Sequence, residues 1–262
     1  MNLHLTDKLT LVSGSTAGIG LAIATSLASE GARVIVNGRT EARVNEAIAK
    51  IREKVSWAKL EGFAGDLSSE KAANEVAQRF PDVEVLVNNL GIFEPKPFEE
   101  IPDDDWRRFF EVNVLSGVRL SRLYLPGMKK RNWGRIIFIS SESALQSPPE
   151  MIHYGMTKTA QIAVARGLAE LTAGTGITVN SVLPGPTRSE GVETFVDQLS
   201  GGKPFEEFEK EFFEKHRPNS LIKRFESTEE IANIVTFVAS PLSSATTGAV
   251  WRAEGGIVKS AF

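Results

Sequence analysis

Seven short runs rich in β-branched and large apolar residues punctuate the chain, each followed by a longer stretch of helical periodicity or a turn. This alternation constrains the fold more than any other feature. The predicted strands cover residues 9–13, 33–37, 57–63, 85–88, 135–140, 178–183 and 249–252. Most are apolar on both faces, as expected where helices cover both sides of a parallel sheet. Predicted helices fill the gaps at about 18–30, 40–54, 68–79, 103–131, 151–174 and 228–239. Asp66-Leu67-Ser68-Ser69-Glu70 and Ser227-Thr228-Glu229-Glu230 read as helix starts. The order predicts an α/β fold, a doubly wound parallel sheet with right-handed crossovers.

At 262 residues, with no repeat and no Pro- or Ser-rich linker, residues 1–262 are expected to form one domain. A stretch at about 188–224 breaks the rhythm. It holds Phe195, Phe205, Phe208, Phe212 and Phe213 among many Glu and Lys, and reads as a helical insertion that acts as a substrate lid. A net charge of -3 gives no basic field for nucleic acid or an anionic membrane. Cysteine is absent, which excludes disulfides and thiolate chemistry. The histidines His4, His153 and His216 show no metal-ligand spacing, so no metal site is expected. The start is too short and polar for a signal peptide, and no apolar run approaches a membrane span, so a cytoplasmic protein is expected.

Ser13-Gly14-Ser15-Thr16-Ala17-Gly18-Ile19-Gly20 follows the first strand and opens the first helix. Gly14 would permit the tight turn, Gly18 a close approach to a pyrophosphate, and Gly20 close helix–strand packing, as in a Rossmann-type site. Its spacing is G-x-x-x-G-x-G. The second strand ends Val36-Asn37-Gly38-Arg39-Thr40, with no acid to accept from ribose hydroxyls. Arg39 offers a planar cation suited to a 2′-phosphate, which favours NADP(H) over NAD(H). Were NADH preferred, another group such as Asn37 would hold the ribose.

Tyr154 and Lys158 stand at i and i+4 in a helical pattern and share a face. A neighbouring ammonium would lower the phenol pKa and make Tyr154 a usable acid or base. Ser141 comes 13 positions before Tyr154, just past a strand.

With these markers in order, the chain resembles the short-chain dehydrogenase/reductase family, as a 3-oxoacyl-carrier-protein-reductase-like member. The markers are Gly14/Gly18/Gly20, Asp66, Asn88-Asn89-Leu90-Gly91, Asn113, Ser141, Tyr154, Lys158 and Pro184-Gly185. The resemblance implies hydride transfer between nicotinamide and a carbonyl or secondary alcohol. It assigns proton transfer to Tyr154, support of Tyr154 and a nicotinamide-ribose contact to Lys158, and the substrate carbonyl oxygen to Ser141. Asn113 would kink its helix and anchor a water in a relay to Lys158. The cofactor would be lined by Gly14, Ser15, Gly18, Ile19, Gly20, Arg39, Asp66, Leu67, Asn89 and Gly91. Pro184, Gly185, Thr187 and Ser189 would follow at the carboxamide, with Tyr154 and Lys158. Asp66 would face the adenine, cap the next helix, or both. Leu90 stands where the family usually has Ala, and Ala253-Glu254-Gly255-Gly256 replaces its Val-Asp-Gly-Gly.

The resemblance also implies a homotetramer or dimer paired through the helices at 103–131 and 151–174. Glu142 and His153 flank Ser141 and Tyr154 and are candidates to touch substrate; Met151 and Met156 are candidates for an apolar pocket. Arg107, Arg108, Lys129, Lys130 and Arg131 are candidates for docking an acidic carrier protein. The alternative to an enzyme is a non-catalytic, redox-sensing dinucleotide-binding protein on the same fold.

Overall fold

The computed structural model describes residues 1–189 and 204–261. Seven parallel strands form one sheet: β1 (Leu9–Val12), β2 (Arg33–Gly38), β3 (Lys59–Ala64), β4 (Val85–Asn88), β5 (Gly134–Ile139), β6 (Ile177–Pro184) and β9 (Val250–Ala253). Their spatial order is β3-β2-β1-β4-β5-β6-β9. The chain reverses direction across the sheet between β1 and β4, so a crevice opens beyond their carboxyl ends. Every pairing in this sheet is parallel, including β1 with β2 (Val12↔Val36) and with β4 (Val12↔Val87). The predicted α/β Rossmann-type sheet is the observed one.

Strand residues alternate between two cores. Val12, Val34 and Val36 point to the face covered by α1 (Gly18–Ser29), α2 (Glu41–Lys54) and the helix Thr228–Ala239, where Ile23, Leu27, Ile231 and Val235 pack. Leu11 and Ile35 point the other way, onto α3 (Glu70–Arg79), α5 (Ser116–Arg131) and α6 (Ile152–Leu171), through Val76, Leu120 and Tyr124. The period of two along each strand thus fills both layers.

Helix starts follow side-chain capping. Thr40 accepts from the Arg43 N–H, and Ser69, not Asp66, accepts from the Ala72 N–H at 3.2 Å. Asp66 instead accepts from the Ser68 N–H and hydroxyl, closing a local turn upstream of α3. Its expected capping role is therefore taken by Ser69. Ser227 and Glu230 form a reciprocal capping box at the helix Thr228–Ala239, as predicted.

The predicted helix at 103–131 is not continuous. It divides into α4 (Asp103–Phe110) and α5, joined by a π-helical turn over Glu111–Leu115. Periodicity alone cannot reveal one extra residue in a turn; within this turn the Asn113 side chain bonds Ile92, outside the helix. The insertion is anchored at its base by β7 (Thr187–Arg188) paired with β8 (Glu226–Ser227). Between them α7 (Phe205–Lys215) carries Phe208 and Phe213 into a small cluster with Phe225. Phe195 and the rest of residues 190–203 lie outside the described residues. The helix Thr228–Ala239 is α8. No helix among the described residues is long and apolar enough to cross a membrane.

Candidate active site

A cavity of about 740 Å³ lies beyond the carboxyl ends of β1, β4, β5 and β6. Its lining includes Ala17, Ile19 and Gly20 from the glycine loop, Asn89 and Gly91 after β4, and Ser141 and Glu142 after β5. Tyr154 and Lys158 of α6 and Pro184, Gly185, Thr187 and Ser189 after β6 complete one wall, and Phe208, Phe212 and Arg217 another. Sequence-distant candidates therefore meet in one chamber.

The glycine loop is built for backbone approach. Gly14 and Gly18 have φ of 62° and 53°, left-handed values that disfavour any side chain. A Cβ on Gly20 would stand 2.3 Å from the Gly14 carbonyl oxygen and 2.5 Å from Asn89 Nδ2. Asn89 fixes this contact by donating to the Ser13 and Gly14 carbonyls, each at 3.0 Å. The α1 N-terminus opens on the cavity at Ala17, whose side chain offers no cap, and its first turn carries no acid. Such a terminus presents unpaired N–H groups and a positive dipole end.

Some predicted cofactor residues turn inward. Ser15 is fully buried; its hydroxyl donates to the Val12 carbonyl at 2.7 Å and accepts from the Asn37 N–H at 2.8 Å. Leu67 is buried in the core. Asn37 accepts from the Gly14 N–H and donates to the Phe63 and Gly65 carbonyls, so its amide holds the loop and is not spare for a ribose. Arg39 and Asp66 are exposed at the rim beyond β2 and β3. Gly38 has no room for a side chain, since a Cβ would meet Thr16 Cγ2 at 2.4 Å.

Lys158 is buried and donates to the Ile139 carbonyl at 3.0 Å and to Gln161 Oε1 at 3.2 Å. Burial lowers its pKa to about 7. Its ammonium stands 5.5 Å from the centre of the Tyr154 ring. The Tyr154 phenol is pushed up from its ordinary value, first by burial and then by the Glu142 carboxylate; hydrogen bonding to Ser141 and the Arg217 charge partly oppose this. The expected lowering by Lys158 is thus overridden in the chain by itself. The reason is the burial of the phenol beside the Glu142 carboxylate.

Asn113 is fully buried. It accepts from the Ile92 N–H at 2.8 Å and donates to the Ile92 carbonyl and to Thr157 Oγ1, both at 3.0 Å. Its carbonyl, released by the π-turn, accepts from Gln161 Nε2. Gln161 therefore bridges the Asn113 carbonyl and Lys158. Sequence reasoning missed Gln161, although a polar residue one turn past Lys158 in an apolar helix was a visible signal.

Glu142 enters the cavity, buried, accepting from the Ser141 hydroxyl and, at 3.2 Å, from Arg217 Nε. Arg217 also reaches Glu150 at 3.4 Å. His153 does not reach the chamber. It packs against Phe109 with ring centres 4.1 Å apart, both ring nitrogens lack partners, and burial lowers its pKa. Met151 lines the cavity, whereas Met156 is not part of its lining. No cluster of metal-ligating residues occurs among the described residues.

Behind the Pro184-Gly185 turn lies Glu226, buried, with Oε2 lacking a partner. Burial, then the charges of Glu142, Glu230 and Glu254, raise its pKa from 4.5 to about 8. The folded chain thus holds a proton that the unfolded chain releases between these values. Its contribution to stability is present below pH 4.5 and is lost as pH rises through about 8. In thermal denaturation, Glu226→Gln should gain on the wild type as pH increases from 5 to 8, by a few kcal/mol at most, and level off above. A constant offset across that range would contradict this assignment.

The match to known proteins agrees with this geometry. Residues 8–200 match the short chain dehydrogenase family model. The chain belongs to this family. Its members among the relatives include the uncharacterized oxidoreductase YvaG of Bacillus subtilis (strain 168), 52% identical with all of both chains covered. Another is the 3-oxoacyl-acyl-carrier-protein reductase FabG of Aquifex aeolicus (strain VF5), 33% identical over 98% of this chain and all of that one. Among solved structures, L-sorbose reductase from Gluconobacter frateurii complexed with NADPH and L-sorbose superposes with a TM-score of 0.92. It is 29% identical and covers 99% of this chain and 100% of its own. The chain is accordingly an oxidoreductase of the dehydrogenase/reductase type.

Proposed function

We propose that the protein is an NADP(H)-dependent oxidoreductase acting on a small carbonyl compound or secondary alcohol, with Tyr154 as general acid and base. The observation that carries this reading is the meeting of Ser141, Tyr154 and Lys158 in one cavity with an uncapped helix terminus behind a glycine turn. The residues fit the cofactor. Gly14, Gly18, Ile19 and Gly20 would hold its pyrophosphate, Arg39 the 2′-phosphate, and Asp66 with the Leu67 backbone the adenine. Asn89 and Gly91 would line the adjoining ribose; a Cβ on Gly91 would crowd Lys158 Nζ at 3.4 Å. Pro184, Gly185, Thr187 and Ser189 would face the carboxamide. Ser15 supports the loop from within through its hydroxyl.

When bound, the reduced nicotinamide supplies the hydride. Ser141 holds the substrate oxygen, and Tyr154 delivers a proton to it; in oxidation Tyr154 takes that proton. Lys158 would hold the cofactor ribose and, once charged, would favour phenolate at Tyr154. Asn113 and Gln161 hold Lys158 in place. The non-catalytic reading has no such use for the Ser141, Tyr154 and Lys158 set. Of the candidate carrier-protein dock, Arg107 pairs with Asp103 and Asp104, Arg108 with Glu94 and Asp105, and Arg131 with Asp82. That neutralisation favours a free small molecule over an acidic carrier.

Calorimetric titration tests the cofactor. NADPH should bind more tightly than NADH, and Arg39→Ala should weaken NADPH by about tenfold or more, the worth of one charge-assisted contact. Equal losses for both nucleotides would remove Arg39 from this role. The described part of the insertion, α7, covers the cavity with Phe208 and Phe212, which supports a lid within a single domain. A groove on α5 and α6 formed by Val118, Leu125, Val164, Leu168 and Leu171 supports pairing through these helices into a dimer or tetramer, which light scattering would measure.

A further inference from the structure

Ser141 has one proton, and that proton is already committed. Its Oγ donates to the Glu142 carboxylate. The same oxygen accepts from the Ser143 N–H at 3.1 Å. A hydroxyl offers one donor and two acceptor sites, so Ser141 has no second donor to offer. A ketone oxygen, an acceptor only, finds no donor there unless the bond to Glu142 opens. Opening it strips a hydrogen bond from a buried charge, one of the more costly losses inside a protein. The other Glu142 oxygen stays with Arg217 Nε at 3.2 Å, and Arg217 is also engaged by Glu150 at 3.4 Å and by the His216 carbonyl at 2.9 Å.

We propose that Glu142 sets substrate specificity and that the substrate is an α-hydroxy ketone, or in reverse a vicinal diol. The hydroxyl beside the carbonyl donates to Glu142 in place of Ser141, and the released Ser141 proton turns to the carbonyl oxygen. This rests on the reading of Ser141 and Tyr154 as the pair that holds and protonates that oxygen. The two contact points are one hydrogen bond apart, which matches oxygens on neighbouring carbons. In reduction, a hydride from the nicotinamide adds to the carbonyl carbon and the cofactor is oxidised. The Tyr154 proton passes to the oxygen and is replaced from solvent; the neighbouring hydroxyl is unchanged. A substrate with a carboxylate beside its carbonyl would instead set a second negative charge against Glu142, whose cationic partner Arg217 is already shared with Glu150.

The test compares kcat/KM, with saturating NADPH or NADH, for 1-hydroxy-2-butanone against 2-butanone and for 2-hydroxycyclohexanone against cyclohexanone. Wild type should favour the hydroxylated member by about 100-fold or more, since a site built to pair a hydroxyl rejects the analogue lacking it. The hydroxyl also activates the carbonyl chemically, so the decisive quantity is the change of ratio on substitution. Glu142→Leu should bring the ratio within about tenfold, and Glu142→Gln, which keeps the shape and one acceptor, should fall between. A wild-type ratio near one, a ratio unchanged in both variants, failure to turn over either hydroxy ketone, or a stronger preference for pyruvate would each overturn the proposal. Glu142→Gln and the wild-type ratio decide the matter should Glu142→Leu not fold. Tyr154→Phe separates the two readings: full activity in that variant would refute the role of Tyr154, whatever the Glu142 ratios are.

Discussion

Replacing Tyr154 with Phe is expected to lower kcat by about 10²- to 10⁴-fold, the usual worth of a positioned general acid or base. The ring keeps its edge contact with Phe93, at 6.4 Å between centres, and its place over the cavity. Only the hydroxyl is lost. Cofactor affinity measured by titration should therefore stay within about twofold, because the variant removes a proton donor and no charge. Such a split identifies Tyr154 as acting on the substrate oxygen. Parallel loss of binding and turnover would place its role in cofactor support, and unimpaired turnover would remove it from the chemistry. Since burial and Glu142 hold the phenol high in the chain by itself, the acid form is the one poised for donation. Its ionised form depends on Lys158 becoming charged, and Lys158 titrates near 7.

Gly20→Ala should be the most damaging change outside the chemistry. The added methyl would lie 2.3 Å from a backbone oxygen, that of Gly14, so no side-chain rotation relieves it. Either α1 moves off the sheet or the Gly14 turn opens. Overpacking of this kind costs about 1–3 kcal/mol. The displaced loop should also weaken nucleotide binding by at least about tenfold, because the N–H groups at the helix terminus leave their line. Thermal denaturation and nucleotide titration on the same preparation measure both effects. A variant with wild-type stability and affinity would show that the close approach of Gly14, Gly20 and Asn89 is not required.

The two predictions rest on features of different legibility. Gly14, Gly18 and Gly20 could be read directly, because a turn with left-handed backbone at a strand–helix junction demands that residue type. Tyr154, Lys158 and Ser141 were legible through helical spacing and position after a strand. What the other residues touch was not. Ser15 and Leu67 look like loop members in sequence, yet one hydroxyl ties the end of β1 to β2 and one side chain fills the core. His153 stands beside Tyr154 in sequence but points to Phe109, since neighbouring helix residues face directions about 100° apart. The break between α4 and α5 was invisible because the apolar pattern runs through it.

The sequence alone determined the layers and their order: alternating strands and helices, apolar on the faces that pack, leave few topologies for a right-handed chain. It also determined where the nucleotide loop and the reactive phenol must lie, since glycine conformation and helical period are local properties. Only the tertiary structure decided which charges and donors meet. Lys158 finds Gln161 and the Ile139 carbonyl, Ser141 finds Glu142, and Arg217 crosses 75 residues of chain to join that carboxylate. These contacts depend on the packing of elements distant in sequence, and burial there is strong enough to reverse the pKa that local spacing suggests for Tyr154.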